Sequence, residues 1–343
     1  MRISVWVNRL SELSLTQTTG MLISSAALRG HEVWVSALEE LSLCPRGRVL
    51  AQARLAAGGL REAHFQSLRT ASSQELDLLR CDLVLIRTNP GRDRARADLH
   101  EFALGLGEIL QRRGTRVLND PGGLRRAQSK LFLAGLPGGL RPLGMVGSDL
   151  GALEGYVRES ESACVAKPLV GSRGEGVFKV TGQDPNLSAI LKGLGESGPV
   201  LIQECLPGYE QGDLRLVVLE GKPLMLEGEY ACVQRVPRKG EWRSNIHLGA
   251  VAQPAVPTPE QLEVATTLAT HLLELGVVLA GLDLIGARAV ELNVFSTGGL
   301  RDANRFHGLD FLQPILDSFE RRVSAPGPLV PFGSALPRGK ESA

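Results

Sequence analysis

Three residues of the kind that hold hard cations fall within eleven positions of the chain: Asp283, Glu291 and Asn293. Residues two apart on a strand face the same side, so Glu291 and Asn293 project together. A short turn at 286–288 brings Asp283 opposite them. Two carboxylates and an amide oxygen on one sheet face suit Mg²⁺ that also meets phosphate oxygens. The alternative is a solvated sheet edge. The neighbours Leu284, Ile285, Val290 and Leu292 are apolar, so acids among them need a partner, and a cation supplies one.

A second group is Lys167-Pro168 followed by the glycine-rich run Gly171-Ser172-Arg173-Gly174-Glu175-Gly176. It lies between two strand patterns rather than before a helix. It therefore matches neither the dinucleotide fingerprint nor the P-loop. Such a hairpin can still fold its backbone N–H groups over phosphates, with the lysine beside it; a plain flexible hairpin is the other reading. Downstream, Arg235–Gly249 packs five basic side chains (Arg235, Arg238, Lys239, Arg243, His247) into one loop-like stretch. Arginine forks clamp carboxylates or phosphates, and a mobile exposed loop is the alternative. Glu204 ends an apolar strand, and Asp213 and Arg215 share a face of the next. No Ser-His-Asp or Cys-His nucleophile is evident, and the five cysteines read as reduced core residues.

The elements that must position these groups change character along the chain. Apolar runs at Ile3–Val7, His31–Val35, Asp82–Ile86 and Arg116–Leu118 alternate with helical patterns ending at Gly30 and spanning Leu99–Leu110. This β-α-β order predicts a parallel sheet covered by helices. From about Gly122 helices become fewer and short strands come in pairs: Cys164–Lys167 with Gly176–Val180, then Val200–Glu204, then Leu214–Leu219 with Pro223–Glu227 across a Glu220-Gly221 turn. Pro259–Leu275 reads as a long helix closed by Gly276, followed by strands at Val277–Ile285 and Val290–Val294. The Pro- and Gly-rich tail from about Ser324 reads as poorly ordered.

Composition narrows the class. The 343 residues carry 38 basic against 37 acidic side chains, a net charge of +1, which argues against a nucleic-acid surface. No apolar stretch is long enough for a membrane span and the N-terminus lacks a signal-peptide core, so a cytoplasmic protein is expected. Only seven of the 38 basic residues are lysines, so those that fall in motifs stand out.

Taken in order, these segments resemble the prokaryotic glutathione synthetase family of the ATP-grasp superfamily. The resemblance runs from Met1 to about Arg322. It takes in Arg87-Thr88-Asn89-Pro90, Asn119-Asp120-Pro121, Lys130-Leu131-Phe132, Ala166-Lys167-Pro168-Leu169, Gln203-Glu204-Cys205-Leu206-Pro207, Gly212-Asp213-Leu214-Arg215, Arg243-Ser244-Asn245 and Gly281–Ile285 through Glu291–Val294. It implies an α/β (α+β) fold: a Rossmann-like pre-ATP-grasp domain at 1–121, ATP-grasp subdomains at 122–199 and 200–322, and a flexible tail at 323–343. It places ATP on Lys130, Lys167, Gly171, Ser172, Gly174, Gly176, Gln203, Glu204, Cys205, Leu206 and Asp213. It places Mg²⁺ (two ions, with Mn²⁺ as the substitute) on Asp283, Glu291 and Asn293, and the reacting groups on Arg215, Arg235, Arg243 and Asn245. Substrate contacts fall on Arg87, Asn89, Ser296, Thr297 and Gly298. The implied reaction is ADP-forming amide synthesis through an acyl phosphate, with γ-glutamylcysteine and glycine as substrates, in a homo-oligomer with no nucleic-acid or membrane partner. Another carboxylate–amine ligase and an ATP-binding protein without catalysis are the alternatives. Asp283→Ala or Glu291→Ala is expected to abolish turnover and leave the fold intact. The chain departs from the family at Asn89, where an acidic residue is usual, at Phe295–Gly299 in place of a Ser-Pro-Thr loop, and at Gly249-Ala250 in place of paired glycines. The first two departures lie where the peptide and the incoming amine sit.

Overall fold

The computed structural model describes residues 1–56, 59, 62–171 and 174–325. Ser172 and the tail beyond 325 lie outside the described residues.

The N-terminal sheet is built on β1 (Arg2–Val7), β2 (Glu32–Ala37), β3 (Leu41–Leu43), β4 (Val49–Leu55), β5 (Gln74–Asp77), β6 (Leu83–Ile86) and β7 (Arg116–Leu118). Its order is β3-β4-β2-β1-β6-β7, with β5 paired to β4. The part β2-β1-β6-β7 is parallel, as expected from near-continuous apolar strands. Pairing among β2, β3, β4 and β5 is antiparallel, so the sheet is mixed where β-α-β order alone predicted a parallel one. Helices α1 (Thr18–Leu28), α2 (Glu62–Thr70) and α3 (Ala97–Arg112) accompany it.

Beyond Gly122 the helices do not thin out. α4 (Pro121–Ala127), α5 (Lys130–Ala134), α6 (Leu150–Glu159) and α7 (Leu187–Gly195) surround a second, antiparallel sheet. Its strands are β8 (Gly144–Gly147), β9 (Cys164–Pro168), β10 (Phe178–Val180) and β11 (Val200–Glu204), in order β10-β9-β11-β8. α6 starts where the Asp149 carboxylate accepts the Ala152 N–H at 3.1 Å, and it buries Leu153 and Val157 one turn apart. α7 buries Leu187, Leu191 and Leu194 at the same spacing. These side chains form a core separate from the rest of the protein. β11 pairs with both β8 and β9, so this unit runs on to Glu204 and the boundary expected after residue 199 falls one strand too early.

The third sheet contains β12 (Asp213–Leu219), β13 (Lys222–Pro223), β16 (Cys232–Val236), β17 (Val251–Gln253), β18 (Leu279–Ile285) and β19 (Arg288–Asn293), with a small hairpin of β14 (Met225–Leu226) and β15 (Glu229–Tyr230). The order is β17-β16-β12-β18-β19, with β13 on β12. The β12–β13 turn sets Glu220 at φ +50° and Gly221 at +80°, the paired left-handed values of a two-residue hairpin. α8 (Pro259–Glu274) opens on a Thr258–Gln261 capping box with Pro259 in the first turn, and buries Val264, Ala265, Leu268, Ala269 and Leu272. α9 (Leu300–His307) and α10 (Leu312–Ser324) close the chain over the N-terminal unit. The first and third sheets share two apolar cores, so they form one body against which the small second unit stands.

Asn119 fastens that body. Its Nδ2 donates to the carbonyls of Leu279 (2.8 Å) and Val294 (2.7 Å), and its Oδ1 accepts from the N–H groups of Val278 (2.9 Å) and Leu279 (3.1 Å). One buried amide with all its capacity used thereby ties the end of β7 to β18 and to the end of β19. Among the described residues no helix is long and apolar enough to cross a membrane.

Candidate active site

A cleft of about 840 Å³ opens between the second and third sheets. Its centre is a chain of buried ion pairs. Arg215 on β12 donates from Nε to Asp283 Oδ1 and from Nη2 to Oδ2 at 2.9 Å. Arg235 on β16 meets Asp283 Oδ2 at 2.7 Å and Asp213 at 2.6 Å through both Nε and Nη2. Register explains the pattern: Asp213 lies opposite Arg235, and Arg215 opposite Asp283. Asp283 is 1% exposed. Burial pushes its carboxyl up, but Arg215 and Arg235 outweigh that and hold it at about 2.

The three expected cation ligands come together. Asp283 pairs directly with Glu291 across β18 and β19, and Asn293 Nδ2 lies 3.4 Å from Asp283 Oδ2. They are not equivalent. Asp283 is already committed to two guanidinium groups, whereas Glu291 has no hydrogen bond or ion pair among the described residues and faces the cleft. The expectation that Asp283→Ala leaves the fold intact is therefore revised, because it would strand two buried arginines. The donor set fits a hard cation: a free carboxylate, an amide oxygen and the remaining lone pairs of Asp283.

The two expected lysines face this group from the other wall. Lys167 on β9 is 7% exposed and donates to the Val290 carbonyl at 3.3 Å. Burial, with the charge of Lys130 adding to it, lowers its pKa to about 8. Lys130 is the first residue of α5 and donates to the Gly171 carbonyl at 3.2 Å. Burial also lowers its pKa, against the opposing charge of Glu291. Among the described residues each ammonium holds only a backbone carbonyl, so both retain donors for an anion.

Gly171, Gly174 and Glu175 of the glycine-rich segment form the roof. The Gly174 carbonyl accepts from Arg243 Nη1 at 2.9 Å, and Gly174 sits at φ +75° with Asn245 Oδ1 where a Cβ would go. Gly176 lies behind the roof against Pro168 and Leu194 and not on the cleft wall. Arg243 is tied by Glu241, which accepts from its Nε (3.0 Å) and Nη2 (2.8 Å). The Arg243 hydrogen bond holds the Glu241 carboxyl at about 2. The far end of the cleft is lined by Gln203, Glu204, Cys205 and Leu206. Glu204 Oε1 already accepts from the Leu143 N–H at 2.9 Å and from Arg288, and the Cys205 N–H is used by the Ala163 carbonyl at 2.9 Å. The Leu206 N–H has no acceptor among the described residues, which leaves it for a ligand. Tyr209 and Trp242 meet edge-to-face at 6.2 Å on the same wall.

A larger basin of about 1690 Å³ opens on the other side of the ion-pair chain. Arg215, Arg235, Asn245 and Glu291 line both cavities or the wall between them. Arg87, Asn89, Ser296, Thr297 and Gly298 all lie on this basin. Asn89 Nδ2 donates to Ser296 Oγ at 3.2 Å, and Arg215 Nη1 reaches the Gly298 carbonyl at 3.4 Å. Two of the three places where the chain departs from the family pattern thus touch each other. Sequence reasoning missed Glu241, Arg288, the fastening role of Asn119 and the start of α1. The first is the nearest to a readable signal, an acid two residues from Arg243; the others meet their partners only through the fold.

The family model for the prokaryotic glutathione synthetase N-terminal domain matches residues 1–125, and that for the prokaryotic glutathione synthetase ATP-grasp domain matches residues 129–308. A glutathione synthetase of Vibrio cholerae serotype O1 is 30% identical over 306 residues, 89% of this chain and 92% of that one. One from Synechocystis is 28% identical over 332 residues, 94% of this chain and all of that one. Among solved structures, D-cycloserine synthetase DcsG superposes with a TM-score of 0.62 at 17% identity, covering 94% of this chain and 100% of that one. The ATP-grasp ligase PsnB superposes at 0.60 and 19%, over 94% and 99%. These two show a shared ATP-grasp fold. With both family models matched end to end and a relative at 30% identity, the chain belongs to the prokaryotic glutathione synthetase family and is an ATP-dependent, ADP-forming ligase.

Proposed function

We propose that the protein is a glutathione synthetase: it joins γ-glutamylcysteine to glycine, with ATP becoming ADP and phosphate, through an acyl phosphate. The observation that carries this reading is the shared wall. One cleft has two partly free lysines under a glycine-rich roof, the other basin has a buried arginine and the Asn89–Ser296 contact, and Arg215, Arg235 and Glu291 stand between them. A phosphoryl group passing from ATP to a carboxylate must cross such a wall.

In this reading the purine lies against Leu206 and the Tyr209–Trp242 pair, and its edge meets the free Leu206 N–H. Lys130 and Lys167 bind phosphate oxygens as point charges. Glu291, Asn293 and Asp283 would hold Mg²⁺, which would supply charge that neutralises the phosphates of the nucleotide. The ion pairs to Asp283 fix Arg215 and Arg235 in place before substrate arrives, so no reorganisation is needed when charge builds up on the transferring group. Arg243, held by Glu241 and bonded to the Gly174 carbonyl, couples roof closure to the reacting groups and keeps water from the acyl phosphate. The cysteinyl carboxylate attacks the γ-phosphorus and ADP leaves. The neutral amine of glycine then attacks the acyl carbon, the tetrahedral intermediate expels phosphate, and the amine's surplus proton goes to phosphate or solvent. The test is ADP release from Mg²⁺-ATP, γ-glutamylcysteine and glycine. No release above background would overturn the reading, and release with another dipeptide or amine in their place would move it to a different ligase of the same fold.

A further inference from the structure

The start of α1 carries donors that the chemistry above does not use. No side chain caps the helix, and the N–H groups of Thr18, Thr19 and Gly20 have no acceptor among the described residues. Arg87, just past β6, lies beside them at 7% exposure, with Nε 3.4 Å from Thr19 Oγ1. Its Nη2 is buried with no hydrogen-bond partner among the described residues. Burial lowers its pKa only to about 10, so it stays charged at neutral pH. A buried, unpaired guanidinium is costly, and such a group persists where a ligand completes it. Gln17, Thr18, Thr19 and Arg87 line the same basin as Asn89 and Ser296. The other acids on that basin are engaged: Glu12 lies 3.8 Å from Arg9, and Asp302 lies 3.6 Å from Arg301 and 3.4 Å from Arg305. Glu291 faces the lysines of the neighbouring cleft.

We propose that Arg87 and the α1 N-terminus form a cradle for a second carboxylate of the acyl substrate, one that is not phosphorylated. Resting on the reading above, that group is the α-carboxylate of the γ-glutamyl residue. An arginine fork and converging helix N–H groups are the donors such a carboxylate needs.

The experiment compares γ-glutamylcysteine with 4-aminobutanoylcysteine, which lacks only that carboxylate, in the ADP-release assay. Wild type is expected to favour the former by roughly 10- to 100-fold in kcat/KM, the range for a charged hydrogen bond. Arg87→Met is expected to lose that preference, keep its KM for ATP, and melt no lower than wild type. Thr18→Pro removes one N–H at the first helical position, where proline fits, and is expected to lower kcat/KM several-fold for γ-glutamylcysteine alone. This variant decides the matter if Arg87→Met does not fold. No wild-type turnover of γ-glutamylcysteine would refute the functional reading and the cradle's ligand with it. Turnover of both compounds at equal kcat/KM, or an equal loss on both in Arg87→Met, would refute the cradle and leave the functional reading standing.

Discussion

Replacing Lys167 with methionine is expected to stabilise the ligand-free enzyme while removing its affinity for ATP. In the unfolded chain the ammonium has its ordinary pKa of 10.5, and in the fold about 8. At pH 7 the lysine is charged in both states, so folding carries the full cost of that difference. At 1.36 kcal/mol per unit this is about 3 kcal/mol. Methionine has similar length and no charge. The variant gives up the bond to the Val290 carbonyl, about 1 kcal/mol, so the net gain is about 2 kcal/mol. Urea melts at pH 7 without nucleotide measure it. The pH dependence follows from the sign: a lysine whose native pKa is depressed destabilises fully below pH 8, and that cost is relieved between pH 8 and 10.5 as the native state sheds its proton first. Wild-type stability should therefore climb through that window relative to the variant, and the gap should close. Saturating Mg²⁺-ATP should reverse the order at pH 7, since wild type gains about 2.7 kcal/mol at 100 times Kd and the variant gains nothing. A variant less stable than wild type at pH 7 without ligand, or a gap that stays constant from pH 7 to 10.5, would refute the reasoning.

Glu291→Gln should abolish ADP release with little change in the urea midpoint, because Glu291 holds no partner among the described residues; Asp283→Ala should lose about 3–5 kcal/mol of stability as well, by leaving Arg215 and Arg235 buried and short of a counter-charge. Equal stability of the two variants would count against the division of roles. Gly174→Ala places a Cβ at φ +75° against Asn245 and should raise KM for ATP by roughly 5- to 30-fold, for about 1–2 kcal/mol of strain. Asn89→Asp keeps a hydrogen bond to Ser296, with the hydroxyl now donating, and adds a negative charge to the basin. It should lower KM for the amine about five-fold and leave KM for ATP alone, and a shift in the ATP value instead would place Asn89 elsewhere in the reaction.

The legible parts of this protein were those where chemistry and local pattern coincide. Asp283, Glu291 and Asn293 stand on two apolar strands joined by a turn at Gly286: alternation puts Glu291 and Asn293 on one face, and a register shift between Asp283 and Leu284 brings Asp283 opposite Glu291. Lys167 and the glycine run announced themselves by lysine scarcity and strand flanks. The antiparallel strands β3 and β5 are too short, at three and four residues, for alternation to stand out, and the seven residues of β4 (VLAQARL) do not alternate. α6 and α7 were hidden by internal glycines, and it is the Asp149 cap and the leucine spacing that make them helices. What no local pattern carries is pairing at long separation. Asn119 reaches Leu279 across 160 positions, and Glu204 reaches Arg288 across 84. Arg87 shows the same limit from the other side, because what makes it informative is a missing partner, and that becomes visible only once everything near it has been placed.

The distribution of buried charge then separates framework from binding groups without reference to any ligand. Arg215 and Arg235 are buried and fully paired with Asp213 and Asp283, so they are held in one arrangement whether or not substrate is present. Lys167 and Arg87 are equally buried and short of counter-charge, one on each side of that arrangement. Because both are positive, the ligand-free protein is least satisfied where two anions would enter, the nucleotide on the Lys167 side and a carboxylate on the Arg87 side. Each anion, by occupying its side, relieves a cost the empty fold carries. Binding energy from groups remote from the reaction thus becomes available to bring the γ-phosphate and the reacting carboxylate together across the paired arginines. A chain with a net charge of +1 can hold such a site because acids that would cancel its charge there, Asp213, Asp283 and Glu241, are already engaged by arginines.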